Sequence, residues 1–163
     1  KRPKEQGLDF ITVDGGDGGS GAAPLALGVL FGKKIYEALD IVDDTLKKHK
    51  VRDRVKVFAS SKLYAPHMSA RALAKGADAI GNARSIMIAG GCIRAGKCSG
   101  EHGPCPVGIA TMNKYKRKSY ARAWALKVAQ MRNYIHGHEH GLEQVAAVCG
   151  VKSPSELGPE HVM

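Results

Sequence analysis

The chain has 163 residues, 44% of them hydrophobic and 6% aromatic, with a formal net charge of +10. That size accommodates one domain with a real core. No apolar run approaches the ~20 residues that cross a bilayer, no secretory-type leader is visible, and the basic residues are dispersed with no helix-turn-helix or stacking-aromatic motif, so no membrane and no nucleic-acid role is expected and a reducing, cytoplasmic setting is. The densest basic run, Lys114 to Lys118 around Tyr115, reads as a solvated linker or as a surface for an acidic partner. The abrupt opening, with a strand soon after Lys1-Arg2-Pro3, is expected of a fragment or of a chain whose first half is missing.

Leu8 to Val13 is a short run of β-formers that ends at glycines, the pattern of a buried strand. Asp14-Gly15-Gly16-Asp17-Gly18-Gly19-Ser20-Gly21-Ala22-Ala23-Pro24 follows. Such a loop exposes backbone N–H groups and lets a ligand come close to the chain. Gly16, Gly18 and Gly21 formally match the dinucleotide fingerprint. That fingerprint needs a helix starting inside the glycines and an acid after a second strand; Pro24 opposes the first, and Asp40 falls within a helical pattern.

Ile35, Leu39, Val42 and Leu46 lie on one stripe of a helix predicted over 35–49. Val55 to Ala59 is the next strand. Ser60, Ser61 and Lys62 sit at its end, where hydroxyls, N–H groups and an ammonium suit a phosphate. A short helix is predicted from Pro66 to Lys75, with Leu73 and Ala70 or Ala74 facing in and Gly76 just past its end. Asp78 to Ile80 is a brief strand. Asn82, Ala83 and Arg84 open a helix over Ser85–Gly90 and form a second candidate phosphate turn. Strand–helix–strand repeats call for a parallel sheet, either an open doubly wound sheet or part of a (β/α)8 barrel. Two successive strand-end phosphate candidates favour the barrel. Three strands cannot close one, so the chain is expected to belong to something larger.

Three of the four cysteines, Cys92, Cys98 and Cys105, fall in the stretch 90–111, with five and then six residues between them. Gly96, Gly100, Gly103 and Pro104 let this loop fold back so that three sulfurs can share one centre. Thiolates suit an iron–sulfur cluster or zinc. Pro106 after the last cysteine is a common ending for iron–sulfur runs. No paired C-x-x-C knuckle marks a zinc ribbon, and free cysteines in a glycine-rich loop are the plain alternative.

Beyond the loop, Lys114 to Ser119 reads as a basic linker. Tyr120 to Ile135 reads as a helix whose stripe of Ala121, Trp124, Val128, Met131 and Ile135 packs on the rest. His136-Gly137-His138-Glu139-His140 could bind a metal, but Gly137 and Gly141 favour an exposed turn between helices. A last helix spans Leu142 to Val148, Cys149 ends it, and Ser153-Pro154-Ser155-Glu156 has capping-box chemistry.

Several of these segments resemble one family. G-C-I-R-A-G-K-C from Gly91 and C-P-V-G-I-A-T from Cys105 are similar to the cluster loop of the FMN-binding domain of glutamate synthase and its archaeal relatives. The D-G-G-D-G-G-S-G-A-A-P loop and the S-P-S-E-L-G-P-E-H tail resemble that family too, so the likeness covers nearly the whole chain. It implies the C-terminal part of a (β/α)8 TIM-type barrel over 1–112, followed by a helical extension over 113–163. It implies FMN held at Asp14, Gly15, Gly16, Ser60, Ser61, Lys62, Asn82, Ala83 and Arg84. It also implies an iron–sulfur cluster on Cys92, Cys98 and Cys105, of 3Fe–4S or 4Fe–4S type. The family usually spaces its cysteines by five and four residues. The longer second gap here has room for a fourth ligand such as Glu101, His102 or Cys149, and Ala59-Ser60-Ser61 lacks the family's paired glycines.

The implied reaction is reduction of 2-iminoglutarate, formed from 2-oxoglutarate and ammonia, to glutamate. Its partners would be the remaining barrel segment, a glutaminase domain or subunit, and an electron-donor subunit. Two alternatives stand beside it: a subunit of a methylamine–glutamate N-methyltransferase type of enzyme, and a non-catalytic iron–sulfur electron-transfer or interaction module.

Overall fold

A computed structural model describes residues 7–16, 18, 31–100 and 103–162. Three strands, β1 (Phe10–Asp14), β2 (Lys56–Ser60) and β3 (Ala79–Gly81), lie side by side in that order, all parallel. Asp14 pairs with Ser60, and Ser60 with Gly81, so the three C-terminal ends are level. Helix α1 (Ile35–Lys48) joins β1 to β2, and α2 (Pro66–Ala74) joins β2 to β3.

The core forms because alternate strand residues point to one face. Val57 and Ala59, fully buried, meet Ile35 and Leu39 of α1 and Ala72 of α2; Ile11, Val13, Val42, Leu46 and Ile80 pack around them. On the other face Phe10 and Phe58 are exposed and stack edge to face at 5.3 Å. Burial on α2 falls on Ser69, Ala70, Ala72 and Ala74, while Leu73 is only half-buried. Small residues let α2 lie close to the sheet, which moves the inward stripe away from Leu73.

At the N-terminal end of the strands, the Arg52 guanidinium donates to Asp43 Oδ1 at 2.6 Å, to Val55 O at 3.1 Å and to Gly76 O at 2.9 Å, and pairs with Asp78 Oδ2 at 3.0 Å. Gly76, at φ +93°, follows α2 in the left-handed region; a Cβ there would run into the Asp43 carboxyl.

The second half departs from the sequence-based expectation. The segment expected as a linker is helix α4 (Lys114–Arg122), preceded in chain order by α3 (Ala83–Ala89). Asn113 caps α4, its Oδ1 accepting from Lys116 N at 3.1 Å. The expected turn at 136–140 does not exist. Helix α5 (Trp124–Val148) runs unbroken through Gly137 and Gly141. Gly141 lies against the Pro66 ring, where a Cβ would approach Pro66 Cγ to 2.5 Å, so the absence of a side chain lets α5 cross close to the start of α2.

The face α5 presents also differs from the apolar stripe. Trp124, Val128 and Ile135 are exposed, and it is Lys127, Met131, Tyr134, His138, Leu142, Val145 and Cys149 that meet the sheet-bearing half. Leu142, Val145 and Cys149 join Ala70, Ala74 and Leu157 in a second core cluster. Cys149 caps α5 there. Ser153 then accepts from Ser155 N and Lys152 N donates to Glu156, closing the short turn the capping pattern predicts.

Candidate functional site

The level strand ends create a small cup. Asp14 closes β1, Ser60 closes β2 and Gly81 closes β3. With Gly18, Ser61, Lys62, Ala83 and Arg84 they line a cavity of about 180 Å³. In parallel α/β sheets ligands bind outside these carboxyl ends. A cavity of about 700 Å³ sits at the opposite end of the sheet, but of its charged walls Asp43, Lys47, Arg52, Lys56 and Asp78 are paired with one another, and Asp53 adds only negative charge. The smaller cup is the better candidate.

The cup fits an anion bearing hydroxyl neighbours. Lys62 and Arg84 bring two positive charges and Asp14 one negative, and Ser60 and Ser61 bring hydroxyls. The volume suits a phosphate group rather than a whole ring system. Asp14 would repel phosphate oxygens, so its place is beside a ligand hydroxyl. Gly18 keeps this mouth open: a Cβ there would press on Asp14 Oδ1 at 2.6 Å and on Ser61 Cα at 3.2 Å.

Asp14, Ser60, Ser61, Lys62, Ala83 and Arg84, all expected as flavin contacts, thus line one cavity. Gly15 and Gly16 stand behind them. Their N–H groups donate to Ser60 O at 2.9 Å and Lys33 O at 2.7 Å, so they hold the loop together instead of facing the cavity. Gly16 lies back to back with Gly32, and a Cβ on either would strike the other's backbone. Residues 17 and 19–24 of the glycine loop lie outside the described residues. Gly18 and Gly81 also line the cup, Gly81 as the last residue of β3 and Gly18 from the glycine-rich loop after β1.

Asn82 turns its amide away from the cup, with Nδ2 3.2 Å from His138 Nε2, and its Oδ1 is buried with no partner among the described residues. His138, 8% exposed, also meets Ser69 Oγ at 3.0 Å, and its Nδ1 lies 3.5 Å from the Tyr134 hydroxyl. Burial pushes the His138 imidazole below its ordinary pKa, with Glu139 opposing more weakly. Neutral His138 therefore supports the fold. Between its lowered folded pKa and about 6.5, the unfolded chain binds the extra proton, so stability is full above that window and falls as pH drops through it. Denaturation midpoints of the intact protein across this range should rise with pH, and His138→Gln should flatten the rise. An equal slope in both proteins would assign the effect elsewhere.

The cysteine loop leaves α3 at Cys92, whose N–H donates to Met87 O at 2.9 Å; Cys98 is exposed, and Cys92 and Cys105 are half-buried. Burial raises the Cys105 thiol pKa, but the N–H groups of Ala110, Gly108, Val107 and Ile109, which bond its sulfur, more than offset this and hold it below the usual thiol range. That environment fits a thiolate ligand. Among the described residues no three His, Cys, Asp or Glu side chains are gathered as a metal site, so the three sulfurs do not converge; Glu101 and His102 lie outside the described residues. Cys149, in the second core cluster, is not part of the loop. His136 and His140 are exposed on α5 and join no such group.

A family model described as a conserved region in glutamate synthase matches residues 3–152. The chain is 41% identical over 155 residues to a glutamate synthase large subunit-like protein, YerD, of Bacillus subtilis strain 168, covering 95% of this chain and 29% of that protein. It is 30% identical over 150 residues to an archaeal glutamate synthase (NADPH) of Methanocaldococcus jannaschii, covering 91% and 28%. It is 31% identical over 157 residues to a ferredoxin-dependent glutamate synthase of Pyropia yezoensis, covering 95% and 10%. The chain therefore spans less than a third of the length of these curated relatives.

Proposed function

The chain belongs to the glutamate synthase family, and from that premise we propose that it is the C-terminal part of a flavin-binding (β/α)8 barrel that reduces 2-iminoglutarate to glutamate. The observation that carries this reading is the anion cup at the ends of three parallel strands, lined by both predicted phosphate loops. The barrel portion is 1–112 and the helical extension 113–163. The exposed Phe10–Phe58 face supports the barrel, because parallel sheets are covered on both faces, and further strands of the same protein would cover it. No helix among the described residues is long and apolar enough to cross a membrane.

FMN, when bound, supplies the hydride chemistry. The chain's own residues bind and orient. Lys62 and Arg84 would neutralise the FMN phosphate, Ser60 and Ser61 would donate to the phosphate oxygens, and Asp14 would accept from a ligand hydroxyl. Asn82 supports this turn from behind. Cys92, Cys98 and Cys105 would hold the iron–sulfur cluster that relays electrons. Loop and cluster would assemble together, as is usual where a metal site is not preformed. 2-Oxoglutarate, a glutaminase domain or subunit and an electron-donor subunit complete the reaction.

The test is the visible spectrum of the anaerobically purified intact protein, before and after dithionite, followed by a glutamine- and 2-oxoglutarate-dependent assay for glutamate. A structured flavin band over a broad, bleachable background, with glutamate formed, is the expected result. A broad band without flavin would replace this reading with an electron-transfer module, and methylamine-dependent turnover without glutamate synthesis would replace the substrate.

A further inference from the structure

Helix α5 reaches both loops that line the cup. Tyr134 donates its hydroxyl proton to Tyr64 O at 2.9 Å, in the loop that carries Ser61 and Lys62. One turn later His138 meets Ser69 Oγ and the Asn82 amide. Ser69 donates in turn to Leu63 O at 3.2 Å, in that same first loop. Asn82 immediately precedes Ala83 and Arg84 of the second loop.

Nε2 of His138 therefore bridges the two loops: it lies 3.0 Å from Ser69 Oγ, behind the first, and 3.2 Å from the Asn82 side-chain amide, behind the second.

We propose that His138 is a positioning residue for the cup, fixing the spacing between the Ser61–Lys62 loop and the Ala83–Arg84 turn so that both close on one phosphate. Nothing in the chemistry of the phosphate needs the imidazole itself, which is buried and does not line the cup. Its effect is exerted through Asn82 and Ser69, and Tyr134 assists it at Tyr64. The inference rests on the reading of the cup as the FMN phosphate site.

FMN and riboflavin differ by that phosphate, so their affinities for the flavin-free intact protein, measured by flavin fluorescence titration, separate positioning from general loosening. His138→Leu should weaken FMN by about three- to tenfold, the scale of one or two lost hydrogen bonds, and riboflavin by less than about twofold. His138→Gln, whose amide nitrogen can stand where Nε2 stood, should restore most of the FMN affinity. Asn82→Ala should resemble His138→Leu, and the double variant should be no worse than either. Equal weakening of both flavins, no rescue by Gln, or additive losses would overturn the proposal. Should His138→Leu not fold, Tyr134→Phe takes its place, with a smaller FMN-selective loss expected and an equal loss for riboflavin overturning the idea. If the unaltered protein does not prefer FMN to riboflavin, the phosphate site falls, and this proposal with it. If Arg84→Ala weakens FMN while His138→Leu does not, the site stands and the positioning role falls.

Discussion

Cys105→Ser is expected to remove nearly all iron from the intact protein while leaving FMN bound. The backbone N–H groups of Val107, Gly108, Ile109 and Ala110 lower the Cys105 thiol pKa against the effect of burial and so favour the anionic ligand form. Serine places a hydroxyl there. A hydroxyl is a hard, weakly acidic donor and a poor substitute for a soft thiolate on iron. Iron content and the broad visible background should both fall to a small fraction of the unaltered protein's. The flavin band should persist, because the cup lies at strand ends and none of its lining residues belongs to the cysteine loop. Glutamate synthesis should cease with the loss of the electron relay. Cys149→Ser serves as the control: that side chain packs with Leu142 and Leu157 and should leave iron unchanged. An unchanged iron content in Cys105→Ser would remove Cys105 from the ligand set, and iron loss in Cys149→Ser would add an unexpected member.

β1 and β2 were readable as short runs of β-formers, whereas β3, Ala-Ile-Gly, is marked by its place between two helical patterns. Their ends moved by only one or two residues, the usual uncertainty of such boundaries. The cup was readable because its side chains follow strands directly, at the end where parallel sheets bind ligands. What escaped was whatever depended on distant partners. The run at Lys114 has too little apolar character to announce a helix, yet Asn113 caps it. Gly137 costs roughly 1 kcal/mol against alanine and reads as a break. The surrounding helix tolerates it because α5 is anchored on both sides, by Tyr134 before Gly137 and by His138, Leu142 and Val145 after it. Three of the seven contacting residues, Lys127, Tyr134 and His138, are polar, so of the expected apolar stripe on α5 only Met131 falls on the contacting face. His138 looked like one member of an exposed histidine trio; only its pairing with Ser69, 69 positions earlier, shows it to be buried and structural.

Removing Arg52 should be the most damaging single change to stability outside the core. Its side chain is 19% exposed and serves two carboxylates and two carbonyls at once. Among the described residues Asp43 and Asp78, 11% and 24% exposed, have only lysines as other cationic partners, and both lysines are more than half exposed. Burial raises the Asp78 carboxyl pKa, but the N–H of Val57, the Lys56 ammonium and the Arg52 charge together hold it below the usual carboxylate value. Its contribution is thus full above about pH 4 and fades as pH falls through the lower folded value. Arg52→Leu would leave two partly buried carboxylates and the carbonyls of Val55 and Gly76 short of donors. Breaking such a pair on one side costs about 3 kcal/mol, the low end of its range, because Lys47, Lys56 and Val57 retain some of the compensation. Amides of β2 in the intact protein should then exchange about a hundredfold faster. Arg52→Lys should recover less than half of the loss, since one ammonium cannot span both carboxylates. Lys75→Ala, which breaks the half-exposed pair with Asp40, should change exchange by less than about fivefold. Exchange in Arg52→Leu no faster than in Lys75→Ala would mean that water already satisfies the cluster, and that the N-terminal end of this sheet is held by packing alone.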